Sequence, residues 1–393
     1  MPFSSPRVTR RELITVAAGT ASVAVLVSHS GVAAQADATP AAGGEPPLPP
    51  LPEGATVVAE GLWNPSDLTF GPDGTLYIAE SGITGSDSGT DEPAFATPNA
   101  AGTPPAAPPA VVDGQVTAIT PGGEASVIAT GVTGAIGIVL IDEVLFVACG
   151  GGSVGSGFQP NAIENTVDAI DLATGDVNTV AALGDYEVEN NPDGTDVNPN
   201  LYGMAANSAG QLFVADAGGN AIYEVDPATG DFSLFTLIPT LEELTGGTPE
   251  AGALPRQSVP TSVVIDGDDN IHVLLLGIGF WPGPSLLTFA PDGTVTSGPT
   301  GLTTAVAMAM GPDGLLYATM LSDDFEGEEP APGSVNRVTA DGTIEKVVEG
   351  LFFPHGIAFD DAGNLYVTTN SVISSPDAAL GMVVRLDGIA APA

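Results

Sequence analysis

The chain has 393 residues, of which 48 are acidic and 7 basic, for a formal net charge of −41, and 43% are hydrophobic against 14% charged. This balance excludes a nucleic-acid binder or a ligand of anionic membranes, since no basic patch exists to engage phosphates and release counterions. The 51 Gly and 35 Pro, without any long charge-interleaved amphipathic stretch, favour many short strands joined by turns over a helical bundle.

The amino terminus reads VTRRELITVAAGTASVAVLVSHSGVAAQA. Arg10 and Arg11 precede an apolar run from Leu13 to Val27, and Ala34, Gln35 and Ala36 form a small-x-small site. This is the pattern of a twin-arginine export signal over residues 1–36, cleaved before Asp37. An uncleaved anchor is the alternative, although the run is shorter than the roughly 20 residues that a spanning helix needs. Residues 37–53 form a Pro/Ala-rich tether with too little apolar content to pack. The mature chain is expected to be a soluble monomer outside the cytoplasm, folded over 54–389, with 390–393 as a tail. Cys149 is the single cysteine, so no intrachain disulfide can form. Outside the leader the fixed cations are Arg256, Arg337, Lys346 and Arg385. The excess carboxylates either attract cations or simply keep the surface hydrated.

A repeat sets the architecture. Aligned on Tyr77, Phe146, Phe213, His272, Tyr317 and Tyr366, six segments share one pattern of apolar strand, tight turn and apolar strand, from PSDLTFGPDGTLYIAES to HGIAFDDAGNLYVTTN. In GPDG, at Gly71 and Gly311, Pro presets the first turn dihedral and the final Gly accepts a positive φ. Most units continue with a second hairpin such as NAIYEVDPATGDFSLFTL. Four antiparallel strands per unit cannot bury their faces singly but can pack blade on blade around an axis. The sequence therefore predicts an all-β, six-bladed β-propeller. The last unit ends with GMVVRLDG and lacks a fourth strand, while Ala55 to Gly61 resembles the outer strands of other units. It is expected to complete blade six and close the ring, removing two exposed edges.

Long connections run from strand two to three, or from strand four to the next blade, and in a meander both classes emerge on one face. They include Glu80 to Val112, expected to be partly disordered over about 83–110, and Cys149 to Asn165, Leu183 to Leu201 and Ile238 to Val259. Loops on a rigid scaffold commonly carry function, so this face is the candidate functional face.

YGMAANSAGQLFVADAGGNAIYEVD and HGIAFDDAGNLYVTTN resemble NHL repeats, with Asn220 at the position of the Asn of that name. The succession GDYEVENNPDGTDVNPNLYGM, VADAGGNAIYEVD and VPTSVVIDGDDNIHVLLLGIGFWPG is similar to the ScyD/ScyE family of secreted propellers. The resemblance covers everything after the tether. It implies fold and export but no activity, since the family has no agreed catalytic residues.

Several groups on that face could carry chemistry. A lactonase of the gluconolactonase type needs oxygen ligands converging in the channel, yet the first inner-strand positions are Ser66, Ala135, Tyr202, Thr261, Val306 and His355. One residue further along, only Asp67 is acidic. A lyase like virginiamycin B lyase needs a histidine base with a nearby acid or metal, for which His355 is the one candidate at the channel mouth. Cys149 reads as a nucleophile or, without a base, as a small strand-end residue. The loop GDYEVENNPDGTDVNPN offers Glu189, Asn190, Asn191, Asp193, Asp196, Asn198 and Asn200. Asp193, Asp196 and Asn198 could hold Ca2+, or the segment could be a self-capped turn. Asp216, in VADAGG, lies on the same face. Trp63, Phe158, Trp281, Phe352 and Phe353 could form a platform for a glycan or an apolar ligand, or plug the space under the loops. Arg256 either anchors an anionic ligand or pairs with a carboxylate. Two functions follow. One is a non-catalytic propeller binding a small molecule, glycan or protein through Glu189, Asn190, Asn191, Asn200, Tyr202, Asp216, Arg256, Trp281 and His355. The other is a hydrolase or lyase acting through His355, Tyr202 and the Asn/Asp-rich loop.

Overall fold

The computed structural model describes residues 49–83, 112–150, 165–195, 197–248, 256–276, 283–324, 331–374 and 378–391. Strand β1 (Thr56–Leu62) comes first. Blade one is β2 (Pro65–Phe70), β3 (Leu76–Glu80), β4 (Gln115–Ile119) and β5 (Ala125–Thr130). Blade two is β6 (Ala135–Ile141), β7 (Val144–Cys149), β8 (Thr166–Asp171) and β9 (Val177–Ala181). After helix α1 (Leu183–Asn190), blade three is β10 (Leu201–Ala206), β11 (Leu212–Asp216), β12 (Ala221–Val225) and β13 (Phe232–Leu237). After helix α2 (Leu241–Thr245), blade four is β14 (Pro260–Ile265), β15 (Ile271–Leu275), β16 (Leu286–Phe289) and β17 (Val295–Ser297). Blade five is β18 (Ala305–Met310), β19 (Leu316–Met320), β20 (Gly333–Val338) and β21 (Ile344–Leu351). Blade six has β22 (Ile357–Phe359), β23 (Leu365–Thr369) and β24 (Gly381–Leu386).

Each blade is a separate four-stranded antiparallel sheet, and in the sixth the outermost strand is β1. Thr56 lies opposite Arg385 and Leu62 opposite Gly381. The molecule is thus a six-bladed β-propeller whose ring is closed by its amino-terminal strand, as the missing fourth strand requires. The GPDG turns form as their residues dictate. At the first, Gly71 N donates to Thr75 O at 2.7 Å, Asp73 Oδ1 accepts from Thr75 N at 2.9 Å, and Gly74 takes φ +82°.

The apolar cores lie between blades rather than within them. Ala79 and Val116 of blade one meet Ile138, Leu145 and Val147 of blade two, and Leu62, Val383, Leu68 and Ile78 join the closing blade to the first. A blade alone would expose both faces, so the ring folds as a unit. Hydrogen bonds between blades reinforce it near the channel. Ser66 Oγ donates to Ala135 O at 2.6 Å, Thr261 Oγ1 to Ala305 O at 3.2 Å and Thr368 Oγ1 to Ser66 O at 2.8 Å. Inner strands come close enough to require glycine. A Cβ on Gly203 would stand 2.8 Å from Thr261 O, and one on Gly356 would stand 2.2 Å from Ser66 O.

All the described connections from strand one to two and three to four are short, whereas the long ones leave from one face. Two of these contain helices that a reading as plain loops misses. In α2, Thr240 and Glu243 form a reciprocal capping box. In α1, Leu183, Gly184 and Glu187 are buried. The insertion placed at about 83–110 falls almost wholly outside the described residues, as do the leader and nearly all of the tether. No helix among the described residues is long and apolar enough to cross a membrane.

Candidate functional site

Two polar constellations sit on the insertion-bearing face. At the channel, Tyr202 Oη and His355 Nε2 are 2.7 Å apart, and their rings stack at 5.4 Å with 26° between planes. Tyr202 is 5% exposed and His355 3%. The histidine backbone is fixed by its N–H to Thr368 O at 3.0 Å and by its carbonyl, which accepts from Thr319 Oγ1. Burial pushes the imidazole down to about 4, so the ring is neutral, and burial together with the Asp67 charge raises the Tyr202 phenol. Asp67 lies within electrostatic reach of Tyr202. Burial raises it to about 7, opposed by hydrogen bonds from Leu68 N at 2.9 Å and Ile138 N at 3.4 Å.

An apolar cluster packs over this pair. Ile136, Leu241, Val259, Val306, Leu321 and Phe353 join Tyr202 in one buried group, drawn from several blades. The blade-two member is Ile136, not Ala135, which instead packs in the core between blades one and two. The cause is a register shift between Ala135 and Gly137, where the inner strand bulges. Phe353 belongs to this plug, and Phe352 packs beside it with ring centroids 4.6 Å apart.

The second constellation is buried in blade three, beneath α1. Asp216, 0% exposed, accepts at Oδ1 from Asn200 N at 2.8 Å, Gly219 N at 2.8 Å and Gly218 N at 3.2 Å. Its Oδ2 accepts no hydrogen bond among the described residues, and neither does the hydroxyl of Tyr223 or Oδ1 of Asn191. Burial, opposed by those N–H groups, raises Asp216 to about 6. The hydroxyl of Tyr223, itself 0% exposed, feels the charges of Asp216, Glu187 and Asp193 without hydrogen-bonding to any of them. Glu187 and Asn200 are fully buried. Gly219 closes one wall, because a Cβ there would stand 2.8 Å from Asp216 Oδ2 and 3.2 Å from Glu187 Oε2.

The residues singled out in the sequence divide among these places. Glu189 and Asn190 lie on the exposed side of α1, Asn190 donating to Tyr186 O at 2.9 Å. Asn191 takes the left-handed helix cap, with Nδ2 on Thr195 O at 2.8 Å. Asp193 accepts from Thr195 N and Oγ1 at 2.9 and 2.7 Å and from Gln257 Nε2 at 2.8 Å, the bonding of a self-capped turn. Asn198 packs against Gly218. Asp196, Trp281 and Phe158 lie outside the described residues. Arg256 bonds Glu242 through Nε, and Glu242 Oε2 also accepts from Arg256 N at 2.9 Å. Cys149 is buried, with Sγ 3.5 Å from Asp168 Oδ2. Among the described residues, no three His, Cys, Asp or Glu side chains gather as metal ligands do. Sequence reasoning missed Glu187 and Tyr223. The spacing of Leu183, Tyr186, Glu187 and Asn190 was the available signal for a helix with an inward Glu187.

The fold is that of a six-bladed β-propeller. No family model and no curated protein matches the chain. Among solved structures, it is similar to the calcium-binding protein regucalcin from Agrobacterium tumefaciens, with 15% identity, TM-score 0.52, and 87% of this chain and 97% of that one covered. A putative gluconolactonase gives 11% identity and TM-score 0.51 over 87% and 96%. Virginiamycin B lyase from Staphylococcus aureus gives 12% and 0.48 over 85% and 99%. At these identities the likeness is one of fold.

Proposed function

We propose that the chain is an exported propeller of the ScyD/ScyE kind that binds a ligand or protein partner on its insertion-bearing face and does no chemistry there. The observation that carries this reading is the apolar plug over Tyr202 and His355, which keeps water and substrate from the one histidine at the channel. A base held near 4 is also poorly matched to proton abstraction at neutral pH. Among its described residues the Asn/Asp-rich segment does not join the pair: Glu189 and Asn190 are exposed on α1, Asp193 is bonded within its own turn, and Asn200 is buried in blade three. Export rests on Arg10 and Arg11. Changing both to Lys is expected to leave unprocessed precursor inside the cell, and normal secretion of that variant would remove the twin-arginine reading.

One observation favours the enzymatic alternative, a hydrolase or lyase at the channel mouth. Asp67 sits at about 7, within electrostatic reach of the Tyr202–His355 pair, and a group so tuned can act as acid or base. The test is a panel of sugar lactones and cyclic depsipeptides, together with a thermal-shift screen of glycans and small molecules, on the mature chain. The binding reading expects no turnover and a stabilising ligand whose affinity survives Asp67→Asn. Turnover lost in Asp67→Asn or His355→Gln would establish the alternative.

A further inference from the structure

Each blade enters its inner strand through one equivalent residue, whose carbonyl accepts from the N–H that follows the second strand. Asn64 accepts from Ser81, Gly134 from Gly150, Asn200 from Ala217, Val259 from Leu276, Thr304 from Leu321 and Phe353 from Ser371, at 2.8 to 3.2 Å. At four of these places the backbone is left-handed, with φ of +51° at Asn64, +79° at Gly134, +56° at Val259 and +45° at Phe353. Glycine takes this conformation freely and asparagine readily, whereas for a β-branched or bulky residue it is a strained outlier. Blades one and two thus meet the same demand with little strain, and blades four and six do not.

The side chains at these places have different fates. Asn64 is engaged by the scaffold, with Nδ2 on Gly82 O at 3.0 Å and Oδ1 accepting from Ser374 N at 2.9 Å. Val259 and Phe353, each 4% exposed, instead enter the apolar plug over Tyr202 and His355. Val259 N donates to Asn220 Oδ1 at 3.1 Å, and a proline follows each of the two residues, so their backbones are pinned. Strain of this kind persists only where the surroundings impose it, and it collects at ligand clamps and switch regions. Ile136, Val306 and Leu321, in the same plug, have no positive φ. Val259 and Phe353 are therefore the plug residues that gain most by leaving. We propose that they form a displaceable gate, and that a small apolar molecule carrying one hydroxyl takes their place against Ile136, Val306 and Leu321 and sets its hydroxyl on the Tyr202–His355 pair.

An apolar seat with a polar anchor at its floor has the make-up of a small-molecule site. The net charge of −41 disfavours an anionic ligand, which points to a hydroxyl rather than a carboxylate. The gate is shut without ligand, so this inference rests on the closed mouth of the proposed function. A ligand opens it only as far as it prefers the open form, and the closing side chains lower the apparent affinity.

The test uses residues 37–393, with 1-naphthol as the probe and naphthalene as its counterpart without a hydroxyl. The wild type is expected to bind one 1-naphthol per chain, more tightly than naphthalene. The bound ring should shift the His355 signals in histidine-labelled NMR spectra and leave in place those of His272, which is hydrogen-bonded to Asp266 and Thr288. Val259→Gly puts in blade four the residue that blade two has at this place, and should raise the affinity for 1-naphthol at least fivefold, because part of the gate is gone. A merely structural Val259 would, on the same substitution, lower the melting temperature and leave the affinity unchanged. The wild-type shift decides the matter even where Val259→Gly does not fold. Titration of His355 near the ordinary 6.5 without probe would remove the closed mouth, and the gate with it. A closed mouth with no saturable 1-naphthol binding, with shifts at His272 in place of His355, or with equal affinity in folded Val259→Gly would overturn the gate alone.

Discussion

Tyr202 of blade three and His355 of blade six reach across the channel to form a hydrogen bond of 2.7 Å, so two of the six blades are joined at the axis by side chains alone. Both rings are buried, and the apolar residues above them come from the ends of the inner strands and from the connections between blades. The pair acts as a crossbar for the mouth.

Asp67 lies near this crossbar and titrates with the opposite sign from His355. The histidine, held at about 4 against an ordinary value of 6.5, contributes stability that is fully present above 6.5 and lost as pH falls through about 4. Asp67, held at about 7 against 3.8, contributes stability that is fully present below 3.8 and lost as pH rises through about 7. Asp67→Asn removes only the second contribution. In urea unfolding, the stability of the variant relative to wild type is expected to grow from pH 5 to pH 8, where the variant gains roughly 1–3 kcal/mol. A difference that stays constant with pH would mean that Asp67 is already ionised at pH 5.

Ring closure makes β1 essential far beyond its length. Leu62, 5% exposed, packs with Val383, Leu68 and Ile78 across the seam. Leu62→Ala should cost about 2–5 kcal/mol, and deletion of Ala55 to Gly61 should destabilise the whole domain by several kcal/mol, because it exposes a strand edge and apolar area. Chemical unfolding followed by tryptophan fluorescence measures both. Unchanged midpoints would mean that the strand does not hold the ring.

The close approach of inner strands makes a sharper demand. A Cβ on Gly356 would meet Ser66 O at 2.2 Å and the Asp67 Cα at 2.6 Å, both backbone atoms that cannot swing aside. Gly356→Ala is expected to destabilise by about 1–3 kcal/mol or more through overpacking. An alanine variant with wild-type melting would show that the seam between blades six and one is looser than described.

The sequence reveals the fold because each repeat carries its own turn chemistry: Pro and Gly in GPDG and the small residues in YGM and HGI report local constraints that survive in any context. Closure was legible for the same reason, since Ala55 to Gly61 keeps the outer-strand pattern. The site was legible only where one strand position faces the axis. Tyr202 and His355 emerge from such a position, whereas Ile136 does not, because the bulge after Ala135 moves the channel-facing place by one residue. Glu187 escaped because the Asn/Asp-rich segment invites a turn reading, while a helix of eight residues turns Glu187 inward and Glu189 out. Tyr223 lies on a third strand that looked like ordinary core, and only the tertiary structure places its hydroxyl beside Asp216.

Closure of the channel mouth is measured most directly by the titration of His355, followed by NMR in a chain of residues 37–393 labelled with 13C and 15N at histidine. His272 is the other histidine after residue 36, and His272→Gln assigns the signals. The closed mouth predicts a His355 ring that stays neutral down to about pH 4, hydrogen-bonded at Nε2 and unaffected by lactones or depsipeptides. Titration near the ordinary 6.5, with a shift on adding such a compound, would contradict it and place a solvent-accessible base in the channel.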